Sequence, residues 1–392
     1  MNRFMQLSLV VASTSLFACG LSKTTSAIQD NAPTYSNAAL DMESGDTNTP
    51  TGESTAALDQ GSCHPYLFAR TRNVVRRLNW HLYKVLFMFD HVIAEHPSAQ
   101  SGATATWTRK GLGSTFRVVG TKVSDTEFTY EVDVKPNSAD DSAFVKVGSA
   151  DLTIADDANA GNAAGDDRNE SGTLNIDFSA LASVVSTEHA SGTLSYKFSI
   201  SGQQRNIEVT LADFTPDDDI DGTSPRNAHY VFTRTVGVGG SLKYTDELIL
   251  ACPHVANDQP NTVTRSSVDT VFRWTHLSDG TFVARGDTEA IDDSADTNPP
   301  NIPAGDKIEG VTCGTLGNGD VEKYWMMKLE DSTGATAVSG TFSYDSQPNA
   351  DPTSACDAAF GSIPGTDSGT NDYDFSSVNF ADPTAVSFPS QG

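Results

Sequence analysis

Hydrophobic and polar positions along this chain follow two different periods. Between residues 66 and 96 the apolar residues recur as in a helix. From Val75 they fall at Leu78, Leu82, Val85, Phe89 and Val92, in steps of 3, 4, 3, 4 and 3. That spacing places one narrow apolar stripe on a helix of about eight turns. Pro97 closes it, because proline cannot continue the backbone hydrogen-bond ladder. The opposite face carries Arg70, Arg72, Arg76, Arg77 and Lys84.

After about Ser101 the period changes to two. Phe128, Tyr130, Val132 and Val134 alternate with Thr129, Glu131 and Asp133. Leu174, Ile176 and Phe178 repeat the pattern, as do Leu194, Tyr196, Phe198 and Ile200, then Ile207, Val209 and Leu211. Shorter alternations surround Trp107, Phe116, Val147, Leu152, Phe232, Tyr244, Trp274, Phe282, Trp325 and Phe342. Strict alternation means one buried and one wet face, hence an antiparallel sheet. Asp279-Gly280 between two such runs is a hairpin signal. Ser171-Gly172-Thr173-Leu174 and Ser191-Gly192-Thr193-Leu194 repeat without matching flanks, which reads as a favourable strand start and not as a solenoid.

The predicted fold class is therefore mainly β. A large antiparallel meander forms a curved sheet or up-and-down barrel, with one long N-terminal amphipathic helix, 66–96, packed on or inside it. A sheet of this length must curl to cover its apolar face and protect its edges. The architecture resembles the curved-sheet-plus-helix periplasmic proteins that carry lipoproteins or bind apolar ligands. The predicted domain spans 61–350, with a loop-rich C-terminal tail, 351–392, packed on it.

The first residues obey neither period. Met1-Asn2-Arg3 precedes a mostly apolar run from Phe4 to Ala18, the form of a secretory signal, 1–18. The run ends Leu16-Phe17-Ala18-Cys19-Gly20. Here the chain resembles bacterial lipoprotein precursors, whose lipobox carries Leu three places before the modified Cys and a small residue just before it. The resemblance covers about the first 20 residues. It implies cleavage before Cys19, acylation of its sulfur and a membrane anchored through lipid. Gly20 in place of Asp points to the outer membrane and not the inner one. Residues 19–60 are rich in Ser, Thr, Asn, Ala and Asp without apolar periodicity. Such a stretch is expected to be a flexible tether holding the body roughly 30–40 Å from the bilayer.

Charge narrows the partners. The 392 residues carry 51 Asp+Glu against 25 Lys+Arg, a formal net charge of −26. Nucleic acid is excluded as a partner, because it needs a concentrated basic surface. A transmembrane barrel is excluded by the Thr, Ser, Glu, Asp and Lys at the outward strand positions.

Candidate chemistry is sparse. Asp217, Asp219, Asp221 and Gly222 match the core of a calcium loop, where alternate carboxylates converge on one hard cation. A structural Ca²⁺ is the one cofactor the sequence suggests. The rival reading is a solvated acidic hairpin loop, since Ala228 stands where an EF-hand needs Glu. With Cys19 acylated, Cys63, Cys252, Cys313 and Cys356 form an even set for an exported protein, hence disulfide candidates. The preferred pairing is Cys63 with Cys252 and Cys313 with Cys356. A tetrahedral zinc site from Cys63-His64 and Cys252-Pro253-His254 is the rival. His81 and His91 read as solvated or capped edge residues of the helix. Arg285-Gly286-Asp287 spells an adhesion tripeptide that chance accounts for. Trp107, Trp274 and Trp325 at strand spacing read as core, with a sugar or lipid pocket as the rival.

No nucleophile or metalloprotease motif occurs. The reading is a lipid-anchored bacterial envelope protein, a non-enzymatic binding or structural module whose partner is an apolar ligand or another envelope protein. Two alternatives accompany it: a carrier of an apolar ligand in the concave face, and a hydrolase with an unrecognised site.

Overall fold

A computed structural model describes residues 23–35, 39–42, 67–111, 113–155, 169–216, 226–252, 262–278, 282–292, 307–315, 321–330, 336–338 and 358–360. Among the described residues two helices of eight residues or more precede the sheet, α1 (Lys23–Asp30) and α2 (Leu67–Ile93). The sheet begins with β1 (Ala99–Ser101), β2 (Thr104–Lys110), β3 (Ser114–Lys122), β4 (Glu127–Pro136), β5 (Val145–Ile154) and β6 (Glu170–Asp177). A short helix, α3 (Phe178–Val184), then interrupts it. The strands resume with β7 (Ser191–Ser201), β8 (Gln204–Thr215), β9 (Arg226–Thr235), β10 (Gly239–Cys252), β11 (Thr262–His276) and β12 (Phe282–Asp292). The last are β13 (Lys307–Thr315), β14 (Val321–Glu330) and β15 (Thr336–Val338).

All 15 strands lie in one sheet in sequence order, and every pairing is antiparallel. This is the meander that period-2 alternation demands. In β7, Leu194, Tyr196, Phe198 and Ile200 are buried while Thr193, Ser195 and Lys197 are exposed. The inward sets of successive strands stand opposite one another: Leu194 faces Leu211, Tyr196 faces Val209 and Phe198 faces Ile207. A one-residue slip would turn each set to water, so the apolar pattern fixes the register.

The sheet is not closed. Among the described residues β1 pairs only with β2, and β15 only with β14, so the up-and-down barrel is replaced by its open alternative. The sheet curls nevertheless, because α2 touches both β2 and β3 at one side and β12 at the other. One contiguous core runs from Leu78, Leu82 and Phe89 of α2 through Trp107, Phe128, Tyr196 and Phe232 to Trp274. The fold is thus a trough crossed by a helix.

The expected 19–60 tether is corrected at 23–35 and 39–42. Ile28 and Leu40 are fully buried, and Met42 nearly so. The stretch lacks periodicity but holds single apolar residues that each find a separate seat. Ile28 sits against Gly120 so closely that a Cβ there would lie 2.5 Å from its Cγ2. Tyr130 donates its hydroxyl to the Ile28 carbonyl at 2.7 Å. Residues 23–35 and 39–42 are therefore a strap inside the trough. The tail, 351–392, is described only at 358–360, where the Arg273 guanidinium lies 5.4 Å from the Phe360 ring centroid.

Candidate functional site

The site is built by the two flanks of α2. At 3.6 residues per turn, Asn79, Tyr83 and Asp90 fall on one flank and His81 and Met88 on the other, with the core stripe, Val85 and Val92 included, between them.

The first flank is covered by the strap. The Asn79 side chain accepts from the Leu40 amide and donates to the Leu40 carbonyl, both at 2.8 Å. It thereby pairs both backbone groups of Leu40, as a neighbouring strand would. Tyr35 meets Tyr83 edge to face at 5.6 Å between centroids. Gln29 donates to the Ile93 and Glu95 carbonyls, capping orphan groups where α2 ends. At the far end of the strap Arg234 of β9 donates to the Asp41 carboxylate and carbonyl. Crowding on this flank is felt electrostatically. Burial pushes the Asp90 carboxyl from 3.8 up to about 6. Burial and the nearby Asp41 charge push the Tyr35 hydroxyl up to about 12.

The second flank borders open space. A cleft of about 40 Å³, partly open to solvent, lies between α2 and strands β3 to β6. Val85, Leu86, Met88, Phe89 and Val92 form its helical wall. Phe116, Val118, Val132, Val147, Ala150, Leu174 and Ile176 form the sheet wall, and Leu181 of α3 its end. Gly148, Ser149 and Asn175 complete the lining. No side chain among the lining residues is titratable.

Local irregularities shape this cleft. A bulge in the β4–β5 pairing falls between Val132 and Asp133, so Val147 is the extra residue and points a second apolar group at the same place. Gly148 beside it leaves the backbone bare. The Asp177 side chain caps α3 by accepting from the Ala180 amide at 2.8 Å, which turns the chain off β6 and drops Phe178 and Leu181 inward. Phe116, Val132, Val147 and Ile176 all lie toward the sheet end where β2 joins β3, β4 joins β5 and β6 joins β7.

The sequence-predicted positions fare differently. Trp107 and Trp274 are core residues, 1% and 2% exposed; the side chain of Trp325, on β14, lies outside the described ones. His81 is corrected: it is 4% exposed, with its ring edge-on to Phe214 at 5.0 Å and Phe178 at 6.1 Å. It falls on the cleft flank, where α3 roofs it. His91 stacks on Phe87 instead of standing free. Arg285 is 4% exposed, which removes the adhesion tripeptide from the surface. Asp217, Asp219 and Asp221 lie outside the described residues, as do Cys19, Cys63, His64, His254 and Cys356. Cys252 ends β10 and Cys313 sits in β13, described by backbone alone. Among the described residues no group of three or more His, Cys, Asp or Glu is placed to hold a metal. No helix among them is long and apolar enough to cross a membrane.

Sequence reasoning named several cleft-lining residues as core but missed the cleft itself. Its signal was an apolar α2 position, Met88, beside the stripe that faces the sheet. No protein family model, curated protein or solved structure matches the chain.

Proposed function

We propose that this is a lipid-anchored bacterial envelope protein that binds an apolar ligand, without chemistry, in the cleft between α2 and strands β3 to β6. The observation that carries the reading is the lining itself: apolar side chains from α2, the sheet and α3, with no titratable group among them. Apolar surface left beside a well-packed core gains free energy whenever a ligand removes it from water, at roughly 25 cal/mol per Å². Bond cleavage would need a positioned acid, base or nucleophile, and the lining supplies none. The lipobox around Cys19 supports the address.

The test uses a neutral fluorescent probe, N-phenyl-1-naphthylamine. It should bind saturably with one site per chain, and Ala150→Leu, which fills the cleft floor, should lower its affinity at least tenfold with an unchanged circular dichroism spectrum. Absence of saturable binding, or equal affinity in the variant, overturns the cleft as a ligand site. The anchor is tested separately by globomycin, which should cause uncleaved precursor to accumulate.

A further inference from the structure

Resting on the lipid-anchor part of that reading and independent of the cleft, we infer that the outer face of α2 is a bilayer-docking surface, a ladder of aromatic rings that lies at the headgroups of the membrane holding the Cys19 lipid. Trp80, Tyr83, Phe87 and His91 recur along α2 at steps of 3, 4 and 4. Their rings stack in sequence: Trp80 on Tyr83 at 6.0 Å between centroids, Tyr83 on Phe87 at 5.6 Å and Phe87 on His91 at 6.1 Å. At 3.6 residues per turn Trp80, Phe87 and His91 fall opposite the core stripe, so the ladder faces out of the trough. Trp80, Tyr83 and His91 are half-buried. Phe87 is 51% exposed, and the other exposed large hydrophobics among the described residues are valines. A contiguous aromatic patch of this kind marks an interaction surface, which single exposed valines do not.

The strap identifies the partner. It joins the ladder through Tyr35, whose ring is set edge-on against Tyr83. Its Gln29 donates to the Ile93 carbonyl at the end of α2. Lys23 stands six positions before Gln29, about 9 Å along α1. Cys19 stands four positions earlier still, about 14 Å at full extension. Acyl chains on Cys19 therefore enter their bilayer within roughly 25 Å of the helix end beside the ladder. Trp and Tyr match the headgroup level, because each joins an apolar ring to a polar tip. Charge agrees with this placement. The chain as a whole carries −26 and is repelled by an anionic surface, whereas α2 bears a single carboxylate, Asp90.

Quenching by brominated lipid tests the surface. The acylated full chain is reconstituted in phosphatidylcholine vesicles with and without dibromostearoyl chains, which quench an indole that reaches the bilayer. Trp107 and Trp274 are core residues, so the quenched emission should belong to Trp80 and most of it should vanish in Trp80→Phe. Phe87→Asp should lower the quenching about threefold, with an unchanged circular dichroism spectrum and melting temperature, and Phe87→Leu should retain it. No quenching in the parent, or quenching that survives Trp80→Phe in full, overturns the docking surface. Trp80 equally hidden from aqueous acrylamide with and without vesicles assigns the ladder a cover from this chain and overturns it too. A purified chain without acyl mass on Cys19 overturns the anchor and the docking surface with it, whereas a naphthylamine probe that fails to bind overturns the cleft alone.

Discussion

The two flanks of α2 face the same sheet, yet one is sealed and the other is left open. On the sealed flank each contact is specific. Asn79 pairs both backbone groups of Leu40, Gln29 caps the helix end, Arg234 holds Asp41, and Ile28 fills the notch above Gly120. On the open flank nothing is directional: valine, leucine, methionine and phenylalanine line a space that no part of the described chain enters. The difference lies in how each surface is satisfied. Hydrogen bonds and close steric fit select one occupant, the chain's own strap. Apolar surface accepts any occupant of suitable shape, which is what a ligand site requires.

Breaking the sealed flank should have the largest effect. Asn79→Ala leaves the Leu40 amide and carbonyl buried without partners, at about 1–3 kcal/mol per group. Chemical denaturation should show a loss of roughly 3 kcal/mol, whereas a loss below 0.5 kcal/mol would mean the strap contributes little. Gly120→Val should follow, since its side chain would occupy the place of Ile28; overpacking of this kind costs about 1–3 kcal/mol. Limited proteolysis should then cut within 23–42 in the variant and spare the parent. On the open flank Ala150→Leu should cost at most about 1 kcal/mol, because the added methylenes enter existing space, while probe binding falls sharply. A large destabilisation there would show the flank to be as tightly packed as its counterpart.

The smallest expected effect concerns Asp90. Its carboxyl titrates at about 6 in the folded chain against 3.8 ordinarily, so the native state holds the proton more tightly than the unfolded one. The resulting stabilisation is full below pH 4 and is lost as pH rises through 6. The melting temperature of Asp90→Asn, relative to the parent, should rise between pH 4 and pH 6.5. A constant difference across that window would remove the raised Asp90 carboxyl itself.

How much of this could be read from residues alone depends on whether they repeat. The strands announce themselves because alternation is a property of many positions at once: Leu194, Tyr196, Phe198 and Ile200 each reinforce the others. The strap could not be read that way. Ile28, Tyr35, Leu40 and Met42 are spaced without a period, since each answers a different partner far along the chain, Gly120, Tyr83, Asn79 and the β9 side of the trough. Burial assigned by composition misses such residues. His81 was hidden for a related reason. Its concealment comes from Phe178 and Phe214, which arrive from α3 and β8 more than ninety positions later. The cleft was illegible because a void is a mismatch between surfaces. The bulge at Val147 and the turn at Asp177 create it, and neither leaves a repeating mark in the sequence.

The strap also sets a distance. Its first described residue, Lys23, stands four positions after Cys19, and four residues can extend at most about 14 Å. A lipid on Cys19 would then hold the trough on a short leash, with the core beginning almost at the headgroups instead of 30–40 Å above them. Because that leash is continuous with the segment wedged beneath α2, a pull on the anchor would be felt directly by the helix that forms one wall of the cleft. The protein would be moored by part of its own interior.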